Sequence, residues 1–280
     1  MKQSITDQLT EYYCFIDDFL KTHPTMANWR RSNPSAPNFS DAEVLTIALM
    51  QGYFGCATLK QTYLLSMANA GSAFPHACTE KQWIARAHSL TALVGRLILA
   101  SLQPEALTFQ LFLMDSKPIP RCPPLRHGRV RSMREDGAWF GKTKQGWFFG
   151  FQLPALVTRD GLVLGAILTP GNVNDRDPAP ALTEVMASGV GLADLGDRGA
   201  ALQTQLWEDS EVLLLTPADA NPGQAQALIS SLRERIETTF SQLWSLFVDR
   251  VYSRSWNGLW TTIKLKTLHF NLASAGLISA

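Results

Sequence analysis

Three features of this 280-residue sequence predict a mixed α/β domain preceded by an all-α N-terminal domain. Apolar residues recur at helical spacing through residues 1–105, with no strand-like alternation among them. From about Thr108 the pattern changes to alternation and short apolar blocks, at 109–114, 147–153 and 161–168. Helical stretches and single strand-like blocks then take turns. The order βββαβαβα, a three-strand meander followed by α/β crossovers, makes a mixed sheet with helices on both faces. The expected division is a helical domain at 1–105 and a sheet domain at 106–280.

In the first domain, Ile5, Leu9, Tyr12, Ile16, Phe19 and Leu20 mark one amphipathic helix. A proline-interrupted break from 23 to 38 carries the basic cluster Trp29-Arg30-Arg31. Ser40-Asp41-Ala42-Glu43 is a capping box ahead of the apolar run 44–50. A further helix is expected over 79–102, with Trp83, Ala87, Leu90 and Leu97 inward.

In the second domain, Leu111, Leu113 and Asp115 alternate with Phe112 and Met114, so this strand is expected to end by delivering Asp115. Residues 118–144 read as a basic, irregular link. The blocks 147–153 and 161–168 form a hairpin turning at Arg159-Asp160-Gly161. A helix at 177–187, a strand at 191–195 closed by Asp197, a helix at 200–207 and a strand at 212–216 follow. Two helices finish the chain, one around Glu237 and one over 256–272.

An apolar share of 46% supplies a packed core. No apolar stretch approaches the roughly 20 residues that span a bilayer, and the first residues lead into no signal-peptide core. A cytosolic protein with no membrane partner is expected. Cys14, Cys56, Cys78 and Cys122 form no Cys-x-x-Cys pair, which argues against a zinc site or a disulfide framework and fits reduced thiols.

The net charge of +1 conceals a segregation. Residues 111–150 carry eight Lys/Arg against three acids, and 250–280 carry four Lys/Arg and no acid. Residues 151–249 carry thirteen acids against five Lys/Arg. An acidic body flanked by basic segments suits a protein that grips phosphates around a metal site; ordinary solvated surfaces give the same counts.

Asp115 and Asp197 at strand ends and Glu237 on a helix are the candidate site residues. Two Mg²⁺ or Mn²⁺ ions held by such carboxylates stabilise the attacking and leaving oxygens of an in-line phosphoryl transfer. Leu232, Ile236, Phe240, Leu243 and Phe247 form the buried stripe of the last-named helix, and Glu237 borders it. Taken alone, each acid also reads as a solvated residue or a cap. Asp194, three residues before Asp197, is its rival; Gly196 and Gly199 favour Asp197 by letting the backbone open around it.

The segments 114–120 (Met-Asp-Ser-Lys-Pro-Ile-Pro), 195–199 (Leu-Gly-Asp-Arg-Gly) and 232–243, with 149–153 and 168–176 between them in order, resemble a DDE transposase of the bacterial insertion-sequence 982 family. Residues 40–47 are similar to its N-terminal helical segment. Gln152 stands where that family often has Lys, and Ala200 where it usually has Tyr. The resemblance implies an RNase H-like catalytic core with metal-binding acids at Asp115, Asp197 and Glu237. It also implies Mg²⁺ or Mn²⁺ as two-ion cofactor, double-stranded transposon-end and target DNA as partners, and the bacterial nucleoid as location. Pairing two DNA ends calls for a homodimer or a larger assembly.

Arg126, Arg129, Arg131, Arg134 and Lys142 crowd the basic link and are the expected DNA contacts beside the site, with Arg250 and Arg254 as a second surface. The activity expected is metal-dependent DNA cleavage and strand transfer. The alternatives are an RNase H-like nuclease without strand transfer, and an inactive transposase-derived DNA-binding protein.

Overall fold

The computed structural model describes residues 4–28, 37–102, 110–129, 133, 135–144, 146–174, 176–184, 188–193, 200–215, 224–246 and 251–279, excepting the side chains of 27, 28, 110, 129 and 224–233. The chain divides into two compact units, Met1–Ser101 with Leu246–Ala280, and Leu102–Ser245.

The first unit opens with α1 (Ile5–Thr22), α2 (Pro24–Asn28), α3 (Asp41–Phe54), α4 (Leu59–Ala70), α5 (Glu80–Ser89) and α6 (Thr91–Ala100). Ser40 and Glu43 form the expected capping box, Glu43 N–H donating to Ser40 Oγ at 3.1 Å and Ser40 N–H to Glu43 Oε2 at 2.6 Å. Ala42 and every residue from Val44 to Gly52 on α3 are buried, which makes it the axis of this unit. Arg86 on α5 secures its start, donating to Asp41 Oδ1 and to Phe39 O, both at 2.7 Å. The single helix expected over 79–102 is two helices. The chain bends at Leu90 (φ −91°, ψ 6°), and the Thr91 hydroxyl caps His88 O at 2.7 Å.

The second unit is a seven-stranded sheet: β1 (Gln110–Cys122), β2 (Trp139–Thr143), β3 (Gly146–Thr158), β4 (Val163–Ala166), β5 (Thr169–Pro170), β6 (Gly189–Ala193) and β7 (Val212–Leu215). Its order is β2-β3-β1-β6-β7, with β4 and β5 also paired to β3. Since β1 occupies one side of β3, the strands β2, β4 and β5 share the other. The pairs β1–β3, β2–β3, β3–β4 and β3–β5 are antiparallel, whereas β1–β6 and β6–β7 are parallel. The expected turn between β3 and β4 forms at 159–161, where Gly161 takes φ +90°. Helices α7 (Ala179–Thr183), α8 (Ala200–Ser210) and α9 (Gln224–Ser245) complete the unit. This mixed sheet with flanking helices, and a helical N-terminal region before it, is the expected fold and is consistent with an RNase H-like core.

The last helix, α10 (Trp256–Ser274), packs on α3 and α6. Sequence grouped it with residues 106–280; its contacts lie with the helices of the first unit, whose core it completes through Leu265, Leu268 and Leu272. Gly52 permits the approach, since a Cβ there would fall 2.2 Å from the His269 ring. His269 Nδ1 in turn meets Tyr12 Oη at 2.5 Å. No single helix among the described residues is long and apolar enough to cross a membrane.

Candidate active site

Asp115 lies inside β1 rather than at its end. The strand runs on to Cys122 because β3 pairs with it throughout, Asp115 facing Ala155 and Pro118 facing Gln152. On the other side of β1, the last described β1–β6 pair is Met114 with Ala193. Beyond that point one side of β1 has no described strand beside it. Gly150 O and Pro154 O accept from Gly171 and Ile167, so even-numbered β3 residues turn their peptide groups away from β1. By the register, Pro118 and Pro120 then have their missing N–H on the side away from β3, where no ladder bond is lost.

The Asp115 carboxylate is about one-third exposed, at 32%. Its Oδ1 accepts the Ser116 N–H at 2.8 Å, and its Oδ2 lies 3.5 Å from Lys117 Nζ. The Ser116 hydroxyl donates to Gln152 Oε1 at 2.8 Å, and Gln152 Nε2 donates to Gly171 O at 3.4 Å. Gln152 therefore ties β1 through β3 to the turn after β5.

Helix α9 packs against β1 with Ile236, Thr239, Phe240 and Leu243 buried. The Thr239 hydroxyl donates to Gly161 O at 3.1 Å, fixing the helix to the β3–β4 turn. Lys117 Nζ stands 5.6 Å from the Phe240 ring centroid, and so bridges Asp115 to this helix. Glu237 is exposed, one helical turn before Phe240. Asp115 and Glu237 are thus tied to neighbouring positions through Lys117 and Phe240, the second of these by helical spacing.

Asp197 and its rival Asp194 lie outside the described residues. Among the described residues no group of three or more His, Cys, Asp or Glu is placed to hold a metal. The donor chemistry of Asp115 and Glu237 nevertheless fits a hard dication: both offer carboxylate oxygens with access to solvent, and Asp115 already attracts a cation.

The basic link contains more structure than expected. Residues 139–143 are the edge strand β2, paired with β3 from Trp139–Gly150 to Thr143–Gly146. Lys142 is exposed and stands 5.7 Å from the Trp147 ring centroid, and Trp147 itself is 62% exposed. Arg126 is exposed on a 3₁₀ turn at Pro124–Arg129. His127 packs its ring on Phe140 and Phe149, 4.7 and 5.9 Å between centroids. Burial lowers the pKa of the Arg121 guanidinium. It raises that of the Cys122 thiol, against the opposing pull of Arg121 and Arg126. Arg254 is exposed just before α10. Arg131, Arg134, Arg250, the Arg129 side chain and Trp29-Arg30-Arg31 lie outside the described residues.

Sequence reasoning did not single out Lys117 or Gln152 as parts of the site. The signal available for Lys117 was its place two residues after Asp115, on the same strand face. For Gln152 nothing local reveals a partner on another strand.

Residues 106–248 match a family model described as a transposase DDE domain. The chain belongs to that family. Comparison with curated proteins and with solved structures found no match. Membership in the transposase DDE domain family makes this a nuclease of the transposase type with DNA as its substrate, and DDE transposase domains use divalent metal ions. The matched span holds β1 to β7 and α9, hence both described candidate acids.

Proposed function

We propose that the protein is the transposase of a bacterial insertion sequence of the 982 type, cutting DNA at the element's ends and joining the freed 3′-hydroxyl to target DNA. The observation that carries this reading is the β1–β6 register. Met114 pairs with Ala193, the last described residue before Asp194 and Asp197 in the sequence. Glu237, on a helix packed against β1, is the third acid.

In this reading Asp115, Asp197 and Glu237 hold two Mg²⁺ or Mn²⁺ ions. Such ions, when bound, stabilise the attacking and leaving oxygens of an in-line displacement. Asp115 keeps its orientation through the Ser116 N–H, and Ser116 keeps its own through Gln152. Arg126, Arg129, Arg131, Arg134 and Lys142 neutralise DNA phosphates beside the site, with Arg250 and Arg254 as a second surface. The division of labour is a helical region at 1–105, completed in the fold by α10, that binds the element's ends, and a DDE domain that begins at 106. Catalysis is then a matter of positioning and charge, with no covalent enzyme intermediate. A homodimer or larger assembly pairs two ends on the bacterial nucleoid.

The test is a gel assay with a pre-cleaved element end, a supercoiled target plasmid and Mg²⁺. Joined product is expected. Cleavage without joining would make the protein a nuclease only, and binding with neither would make it an inactive derivative.

A further inference from the structure

Resting on the assignment of Asp115 as a metal ligand, we propose that Lys117 competes with the divalent ion for the Asp115 carboxylate, so that ion binding and release of Lys117 are one coupled event. The two side chains share a face of β1, with Nζ 3.5 Å from Oδ2. Among the described residues no other Lys or Arg pairs with Asp115. Exposure of 37% for Lys117 and 32% for Asp115 leaves room for an ion to arrive and for the ammonium to move aside.

The ammonium has a second place to rest. Its Nζ stands 5.6 Å from the Phe240 ring centroid, a π face that attracts a cation. Phe240 lies one turn along α9 from Glu237, so the released charge stays at the edge of the site instead of leaving it. The other Asp115 oxygen is held by the Ser116 N–H at 2.8 Å and does not depend on Lys117. The carboxylate is therefore oriented with or without the ammonium.

A dication approaching Oδ2 meets a positive charge a few ångströms away, and Coulomb repulsion opposes it. Linkage is reciprocal: what Lys117 costs the ion in affinity, the ion costs the Lys117–Asp115 pair. Lys117 is thus a positioning residue that sets the ion concentration at which the site fills.

The test titrates Mn²⁺ alone into the full-length protein and follows the electron paramagnetic resonance of the free ion. Lys117→Met keeps the stem against Phe240 and removes the charge, whereas Lys117→Arg keeps the charge. At low salt Lys117→Met should bind Mn²⁺ about three- to tenfold more tightly than wild type, with the gap narrowing as salt is added. Lys117→Arg should stay near wild type, and all variants should keep the wild-type far-ultraviolet circular dichroism. Equal or weaker Mn²⁺ binding by Lys117→Met, repeated with Lys117→Gln, overturns the inference. Asp115→Asn separates the two levels. If it abolishes binding while Lys117→Met equals wild type, only the role of Lys117 falls; if binding is undiminished, Asp115 is not a ligand and both fall.

Discussion

Met114 on β1 is the register partner of Ala193, the last described residue of β6. Asp115 thus directly follows the last described pair with β6, with its own strand held by β3 on the other side. A carboxylate on a strand so held, with its side chain 32% exposed, has a rigid backbone and access to solvent at once, which is what preorganised charge stabilisation needs.

The first prediction follows for the acids. Asp115→Asn and Glu237→Gln should each lower cleavage by on the order of a thousandfold or more while duplex binding persists, since removing a carboxylate relieves repulsion of phosphate. Asp197→Asn should do the same and Asp194→Ala should not. Plasmid nicking in Mn²⁺, set beside gel-shift affinity, measures both. An inactive Asp194→Ala with an active Asp197→Asn would exchange the assignment of the second acid.

How far the fold was legible varies with the kind of information each element needs. The start of β1 follows from alternation in Leu111, Leu113 and Asp115, and α3 from its capping box, both local signals. The continuation of β1 to Cys122 was hidden because Pro118 and Pro120 read as breakers, and only the sheet register leaves their missing donors harmless. Strand β2 was hidden among basic residues, with Gly141 lying where a Cβ would strike Phe148 and the Gly171 carbonyl. Helix α4 presents Leu64 and Leu65 to solvent at 51% and 41% exposure, which blurs the stripe a sequence reader seeks. The placement of Asp115 on a strand and of Glu237 on a helix was legible from local pattern. The contact of Lys117 with Phe240 joins residues far apart in the chain, and no spacing rule carries it.

The free edge of the sheet supports a second prediction. With its amide turned to suit the backbone, Gln203 on α8 donates to Leu214 O at 3.0 Å and accepts from Leu214 N–H at 3.1 Å. One side chain thereby satisfies an outward-facing peptide of edge strand β7, where unpaired groups would template association. Gln203→Leu should cost about 1–3 kcal/mol in urea unfolding and raise light scattering on storage. Wild-type stability and a monodisperse solution would mean that this cap contributes nothing.

A third prediction concerns the packing of β1 on β3. A methyl at Gly150 would lie 2.3 Å from Ile119 O and 2.9 Å from Arg121 N, both backbone atoms that cannot rotate away. Gly150→Ala should therefore destabilise the sheet by about 2 kcal/mol or more, as overpacking and backbone shifts do. It should also reduce cleavage through displacement of the Asp115 strand. Unfolding midpoints and nicking rates on the same preparation decide this, and an unaltered midpoint would count against the register described for 119–121.

The basic surfaces give a fourth. Arg126 and Lys142 are exposed on the DDE unit, Lys142 beside an exposed Trp147. Each phosphate contact removed should lower the salt slope of duplex binding by about 0.9. The double variant Arg126→Gln/Lys142→Gln should accordingly flatten it by up to about two units and weaken binding most at low salt. An unchanged slope would assign DNA contact to other cations of the chain.

The last prediction is a pH dependence of the helical unit. Tyr12 is fully buried, with its Oη 2.5 Å from His269 Nδ1, and burial, reinforced by Glu11 and Tyr53, raises its pKa far above the ordinary 10.0. In the unfolded chain this phenol ionises near its ordinary value, while in the folded protein it keeps its proton. Above about pH 10 the folded state thus binds one more proton than the unfolded state, so stability falls as pH rises. The stabilising contribution is fully present below the unfolded pKa and declines by about 1.4 kcal/mol per pH unit beyond it, from this group alone. Tyr13 and Tyr63 are also raised by burial and add to the wild-type slope, so the informative quantity is the difference between wild type and Tyr12→Phe. At pH 8 Tyr12→Phe should be less stable by about 1–2 kcal/mol, because His269 loses its partner. Above pH 10 the two should converge, crossing at about pH 10.6 to 11.5 for that range of differences. Denaturant unfolding at four pH values measures the difference, and parallel curves for the two proteins across pH 8–11 would mean that Tyr12 does not keep its proton in the folded state.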